Sequence, residues 1–194
     1  MKVFGLTGGT GSGKSVVAQI LKEKNAFIID ADKIGHEIIL KGTPAYYEII
    51  KYFGEDILDE NKNIIRKKLG KIVFSDKEKL DFLNKCTRNH IVDEIIHQVD
   101  IAKKTNSSCI VIDAALLTES GLGNICDDII VVTAKKDVRL DRISKRDGIT
   151  IDEAKMRMTN QKSDEQYVKD ATIIIDNSSD IDHLKKQIDL INFN

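Results

Sequence analysis

Proline is nearly missing from this chain: Pro44 is the single one among 194 residues, and it marks no linker. Cysteine is scarce too. Cys86, Cys109 and Cys126 are odd in number and no two stand at CxxC spacing, which argues against a disulfide framework and against a zinc site. The four histidines, His36, His90, His97 and His183, are scattered and form no ligand motif. Neither sign of charge dominates. A formal net charge of −1 argues against a general nucleic-acid or membrane-surface binder. No apolar run approaches the ~20 residues that a membrane span requires, and the first residues do not read as a secretory signal. Together with reduced thiols, these absences point to the cytoplasm. What the chain does contain is 41% hydrophobic and 31% charged residues, enough to build a packed core.

Five short apolar runs read as buried parallel strands: Val3–Thr7, Ala26–Asp30, Cys109–Asp113, Ile129–Thr133 and Thr172–Asp176. They are rich in Ile and Val and alternate little, as strands covered on both faces should. Helical patterns between them imply an α/β fold, a five-stranded parallel sheet with helices on both faces. Helix starts are marked by Thr43-Pro44 and by capping boxes at Ser75–Glu78, Thr150–Glu153 and Ser163–Gln166. Ser179 is placed to cap a last helix with Ile181, Leu184, Ile188 and Ile191 on one stripe. Far more chain than a crossover needs separates the second strand from the third, and so long a stretch reads as helices. The expected layout is therefore a core of residues 1–33, 107–134 and 170–194, a helical lobe of residues 34–106, and a second insertion, residues 135–169, forming a lid.

Gly8-Gly-Thr-Gly-Ser-Gly13-Lys14-Ser15 matches the P-loop pattern in full, after an expected strand and before an expected helix. Glycines let successive backbone N–H groups turn inward around a phosphate, and the helix N-terminus adds a favourable dipole. Gly9, Thr10, Gly11, Ser12, Gly13, Lys14, Ser15 and Val16 are thus the expected ATP-binding residues. Lys14 can reach the β- and γ-phosphates, and the Ser15 hydroxyl can ligate Mg²⁺. Cys109-Ile-Val-Ile-Asp113 reads as a strand that ends in a second Mg²⁺ ligand, Asp113. Asp30 and Asp32 end the second strand, where ligands of parallel sheets collect. Asp32 is assigned the chemistry of a catalytic base, and Asp30 a structural role. Four of the six arginines, Arg139, Arg142, Arg146 and Arg157, fall in the second insertion. The first three share a helix face and are expected to offer guanidinium groups to the transferring phosphate, one of them being merely solvated.

Taken together these residues resemble the dephospho-CoA kinase family over nearly the whole chain. Gly5–Ser15 is similar to that family's opening, and Ile29-Asp-Ala-Asp-Lys-Ile34 to its acidic segment. Gly42-Thr-Pro44, Phe53-Gly54, Ile72-Val-Phe74 and Leu83-Asn84 resemble its helical lobe. Asp113, Leu116-Leu117, Glu119 and Gly121-Leu122 resemble its third-strand motif. Arg142, Arg146, Arg157 and Gln161 fall where its lid motif falls, and Ile175-Asp-Asn177 resembles the segment bordering adenine. The chain departs from the pattern at Arg88-Asn89, where His-Pro is usual, and at Ala115 and Thr118, in place of proline and phenylalanine. The resemblance implies transfer of the ATP γ-phosphate to the 3′-hydroxyl of dephospho-CoA. Asp32 would be the base, Lys14 and Arg142 further catalytic groups, and Asn177 an ATP contact.

Two other readings stay open on residues alone. A kinase for another small alcohol or nucleoside monophosphate would share the P-loop and arginines. A GTPase switch is suggested by Asp32-Lys-Ile-Gly35, which spells DxxG, and by Ala134-Lys-Lys-Asp137. The DxxG comes too soon after the second strand, and the other segment lacks the Asn or Thr that reads guanine. The expected partners are small molecules, ATP and dephospho-CoA, with no nucleic acid and no membrane, and a monomer or weak homo-oligomer.

Overall fold

The computed structural model describes residues 1–159 and 161–193. Its strands are β1 (Val3–Thr7), β2 (Phe27–Asp30), β3 (Ile110–Asp113), β4 (Asp128–Thr133) and β5 (Ile173–Asp176). Its helices are α1 (Lys14–Glu23), α2 (Ala31–Glu37), α3 (Pro44–Phe53), α4 (Arg66–Phe74), α5 (Lys77–Ala102), α6 (Lys136–Asp147), α7 (Ile151–Thr159), α8 (Asp164–Val168) and α9 (Ile181–Asp189). Each expected strand is present, with starts shifted by one residue in β2, β3, β4 and β5. No helix among the described residues is long and apolar enough to cross a membrane. The chain divides into two compact units, Met1–Ile29 with Val99–Asn194, and Asp30–Gln98. Residues 135–169 belong to the first.

In the first unit the sheet runs in the order β2-β3-β1-β4-β5. β1 pairs parallel with both β3 and β4, and β4 with β5. Every residue of β1 is buried, which is why its sequence does not alternate. On one face Phe4, Leu6, Val111, Ile130, Val132 and Ile175 pack with Val17, Ile20 and Leu21 of α1 and Leu184 and Ile188 of α9. Burial of each such side chain contributes about 1.5–3 kcal/mol. The other face is covered as well: Val3, Ile110, Ile112 and Val131 are buried. There Gly5 admits Leu117 and Cys126 so closely that a Cβ would stand 2.4 Å from a Leu117 methyl. With β1 between β3 and β4, the strand order reverses around β1, and ligands of such sheets bind beyond the carboxyl ends at that reversal.

Caps follow the sequence with two corrections. Thr43 caps α3, Pro44 opening the helix, and Ser163–Gln166 forms a reciprocal capping box. Thr150 and Glu153 do the same at α7. At α5, however, Asp76 rather than Ser75 accepts from the first amides, those of Glu78 and Lys79. Ser75 instead donates to the Lys71 and Ile72 carbonyls that end α4. At α9 the cap is Asp180, which accepts from the His183 amide at 2.8 Å, and not Ser179. Ile181 consequently lies in the first turn and is exposed, while Leu184, Ile188 and Ile191 are buried.

The second unit holds α2, α3, α4 and most of α5 around Ile34, Tyr46, Ile49, Ile57, Leu69 and Ile95, all buried. Tyr52 stacks on Phe82 at 3.7 Å between ring centroids, tying α3 to α5.

Candidate active site

The loop from β1 to α1 is shaped by its glycines. Gly11 (φ 77°) and Gly13 (φ 91°) occupy the left-handed region that L side chains rarely adopt. Close packing adds a second requirement. A Cβ on Gly13 would stand 2.0 Å from Asn177 Nδ2, and one on Gly9 2.5 Å from Arg139 Nη2. The loop then turns into α1, with the Val16 and Val17 amides bonding the Gly13 carbonyl.

Four side chains from α6, the segment after α7 and the end of β5 hold this loop from outside. Asn177 is buried, and its Nδ2 donates to the Ser12 carbonyl at 2.8 Å. Arg139 is 3% exposed; its Nε donates to the Thr10 carbonyl at 2.9 Å while Nη1 bonds Asp164. Gln161 Oε1 accepts from the Thr10 amide at 2.8 Å. Arg142 Nη1 lies 3.4 Å from both the Gly11 and Ser12 carbonyls. The Ser12 hydroxyl is buried and meets no hydrogen-bond partner among the described residues.

Around the loop opens a cavity of about 940 Å³. Gly8–Ser15 form one wall, with Ala115, Leu116 and Glu119 after β3, Arg142, Lys145 and Arg146 of α6, and Gln161, Lys162 and Tyr167 also lining it. Its lining is mainly basic: Lys14, Arg142, Lys145, Arg146 and Lys162 stand with one lining carboxylate, Glu119, paired with Lys162 at 2.8 Å, while Asp113, Asp141 and Asp147 beside the lining pair with Lys14, Lys145 and Arg146. Such a concave, basic, backbone-lined site fits a polyphosphate. Burial raises the Tyr167 phenol above its ordinary range, so it serves as a neutral wall. Lys14, the first residue of α1, bonds the carboxylate of Asp113, the last residue of β3.

The sequence-derived residues are thereby sorted. Gly9, Thr10, Gly11, Ser12, Gly13, Lys14, Ser15 and Arg142 line the cavity, and Asp113 lies against Lys14. Val16 is on the exposed side of α1, beside Ser15, in a smaller depression shared with α9. Asn177 does not line the cavity; its amide is spent on the loop backbone. Arg139 is corrected from phosphate contact to buttress, because its guanidinium is buried against Thr10 and Asp164. Arg146 borders the cavity but makes a two-pronged pair with Asp147 at 2.7 and 3.0 Å, to which Arg157 also bonds. That pairing holds the Asp147 carboxyl below its usual range, Arg146 contributing most.

Asp32 belongs to the second unit. It lies exposed in the first turn of α2, whose cap is Asp30, accepting from the Lys33 amide at 2.8 Å. The Asp32–Gly35 stretch is helical throughout and so is no switch loop. The same unit carries its own cavity of about 530 Å³, lined by Ile34, Ile38, Thr43, Pro44 and Ala45 with an acidic rim of Glu37, Asp93 and Glu94.

Sequence reasoning did not find the roles of Arg139 or Lys162. Gln161 was visible only as part of a lid motif. Nothing in the local sequence links position 10 to position 161; that proximity is made by the fold.

The residues fit a magnesium–nucleotide group. Ser15 offers a hydroxyl and Asp113 a carboxylate, the hard oxygen donors that Mg²⁺ takes alongside phosphate oxygens and water. Gly9, Gly11 and Gly13 let the loop close against Arg139 and Asn177 behind it, where a Cβ would collide.

Comparison with known proteins gives the family. The family model described as Dephospho-CoA kinase matches residues 2–183. The dephospho-CoA kinase of Carboxydothermus hydrogenoformans is 41% identical over 188 residues, 97% of this chain and 91% of that one. That of Bacillus cereus is 39% identical over 189 residues, 97% and 94% of the two chains. The solved dephospho-CoA kinase from Campylobacter jejuni superposes with a TM-score of 0.71 at 31% identity, covering 97% of this chain and 94% of its own. The chain belongs to the dephospho-CoA kinase family.

Proposed function

We propose that this chain transfers the γ-phosphoryl group of ATP to the ribose 3′-hydroxyl of dephospho-CoA, giving coenzyme A and ADP, the last step of coenzyme A biosynthesis, in the cytoplasm. The observation that carries this reading is the glycine cradle buttressed by Asn177, Arg139 and Gln161, opening onto a basic cavity, in a member of this family. Phosphoryl transfer passes through a loose transition state, so catalysis is mostly positioning and charge stabilisation. Lys14 and Arg142 would stabilise charge on the transferring phosphate and the β–γ bridge. Ser15 and Asp113 would hold Mg²⁺, which when bound neutralises phosphate charge. Asp32 would accept the proton of the attacking hydroxyl. Residues 34–106 would form the acceptor lobe. Its apolar cavity at Ile34, Ile38 and Pro44 would suit the uncharged arm of the acceptor, since the Glu37, Asp93 and Glu94 rim repels a diphosphate. Residues 135–169 would act as a lid.

An ADP-release assay across a panel of acceptors tests this. Dephospho-CoA should support turnover far above that of nucleoside monophosphates or small alcohols. Equal or faster turnover of another acceptor would sink the substrate assignment.

A further inference from the structure

Away from the cradle, three side chains of different chemistry converge within the helical unit. Cys86 and His90 stand four residues apart on α5 and share a helix face. Glu48 reaches them from α3. His90 Nε2 lies 3.0 Å from Glu48 Oε2, and the thiol sulfur, imidazole nitrogen and carboxylate oxygen all lie within 4.8 Å of one another. Ligand atoms of a tetrahedral zinc ion, at bond lengths of about 2.0–2.3 Å, stand about 3.3–3.8 Å apart. The carboxylate and imidazole are already near that spacing, and the sulfur needs to close by roughly an ångström at most.

We propose that Cys86, His90 and Glu48 form a binding site for a divalent transition-metal ion of the zinc class, with three protein ligands and a fourth position left to water.

The donor set selects the ion. Sulfur and imidazole donors disfavour Mg²⁺ and Ca²⁺, which take oxygen, and together with one carboxylate they suit Zn²⁺. Access is available: His90 also lines the cavity bounded by Ile34, Ile38 and Pro44, and Glu48 is exposed. A plain histidine–carboxylate pair would explain two of the three groups. The buried Cys86 thiol, itself hydrogen-bonded to Glu48, is the third donor within reach of both. The site escaped sequence reading because Glu48 lies 38 residues before Cys86 and the Cys–His spacing alone matches no ligand motif. An ion there would clip α3 to α5 and so stiffen the helical unit.

Cobalt titration of the metal-free, untagged chain tests the site independently of kinase activity. One equivalent of Co²⁺ should give a thiolate-to-cobalt charge-transfer band and tetrahedral visible bands, both displaced by one equivalent of Zn²⁺. Cys86→Ala should lose the charge-transfer band. His90→Ala and Glu48→Gln should each weaken Co²⁺ binding by about 10-fold or more. A wild-type chain without the band, or a band that survives in Cys86→Ala, overturns the proposal. Should Cys86→Ala not fold, the Cys109→Ala/Cys126→Ala double variant decides: the band must persist there, and its loss would place the thiolate elsewhere.

Discussion

Arg139 stands behind the phosphate loop with its Nε bonded to the Thr10 carbonyl at 2.9 Å, and a Cβ on the neighbouring Gly9 would collide with the same guanidinium. Loop and arginine therefore fit as one piece. Arg139 is buried, while its ion partner Asp164 is half exposed, so solvent screens part of the pair. Arg139→Met should cost about 1–3 kcal/mol of stability by stranding Asp164 and the Thr10 carbonyl. It should also weaken ATP binding. Thermal melting and nucleotide titration check both; a variant with wild-type Tm and ATP affinity would show that the loop holds its shape unaided.

Arg142 makes a contrasting case on the same helix. It lines the cavity and touches the loop only through contacts of 3.4 Å. Arg142→Lys keeps the charge and loses the planar fork. The expected result is a fall of about 10–100-fold in kcat/KM for ATP, the worth of one or two charge-assisted hydrogen bonds, with Tm unchanged. Unchanged kinetics would move Arg142 to the solvated face.

These two arginines show what the sequence can and cannot tell. The five strands, the P-loop and the helix starts at Thr43, Thr150 and Ser163 were legible because each rests on neighbours in the chain: apolar runs, turn glycines, capping residues. Arg139 and Arg142, three residues apart, were legible as sharing a helix face. Which one is buried against Thr10 depends on a partner 129 residues away. The same limit hid Asn177 on Ser12 and Glu48 beside His90. At α9 the failure was local. Ser179 and Asp180 are adjacent residues of similar capping strength, and pattern alone does not choose between them.

Lys14→Ala removes the ammonium that bonds Asp113 and lines the cavity. Turnover at saturating ATP should fall by about 10²–10³ or more, as for loss of an oxyanion-type donor. Far-ultraviolet circular dichroism should be unchanged. Near wild-type turnover would remove Lys14 from the catalytic groups.

Thiol titration gives a pH prediction. Burial, with Asp127 adding to it, pushes the Cys126 thiol from its ordinary 9.0 to about 12. The fold thus favours the neutral thiol. Its contribution is fully present below pH ~9 and is lost as pH rises toward the folded value, by up to about 1.4 kcal/mol per pH unit. Urea midpoints of wild type should therefore fall more steeply between pH 9 and 11 than those of Cys126→Ala. Parallel curves for the two proteins would mean that the thiol ionises as freely in the fold as outside it.

The two carboxylates at the end of β2 can be separated by paired substitutions. Asp30 is the cap of α2, accepting from the Lys33 amide. Asp32 sits two residues on, exposed, in the first turn. Asp30→Ala removes a capping oxygen and should cost about 1 kcal/mol of stability. Asp32→Asn leaves that cap intact, so Tm should hold. Asparagine preserves size and hydrogen bonding but takes no proton. A base at Asp32 thus predicts a fall in kcat of about 10²–10⁴ with ATP affinity little changed. Proton removal late in a loose transition state would put the loss at the low end of that range. Measuring kcat, ATP affinity and Tm on both variants gives opposite signatures for the two residues. An Asp32→Asn enzyme with wild-type kcat would strip Asp32 of its role and make Asp113 the next carboxylate to substitute.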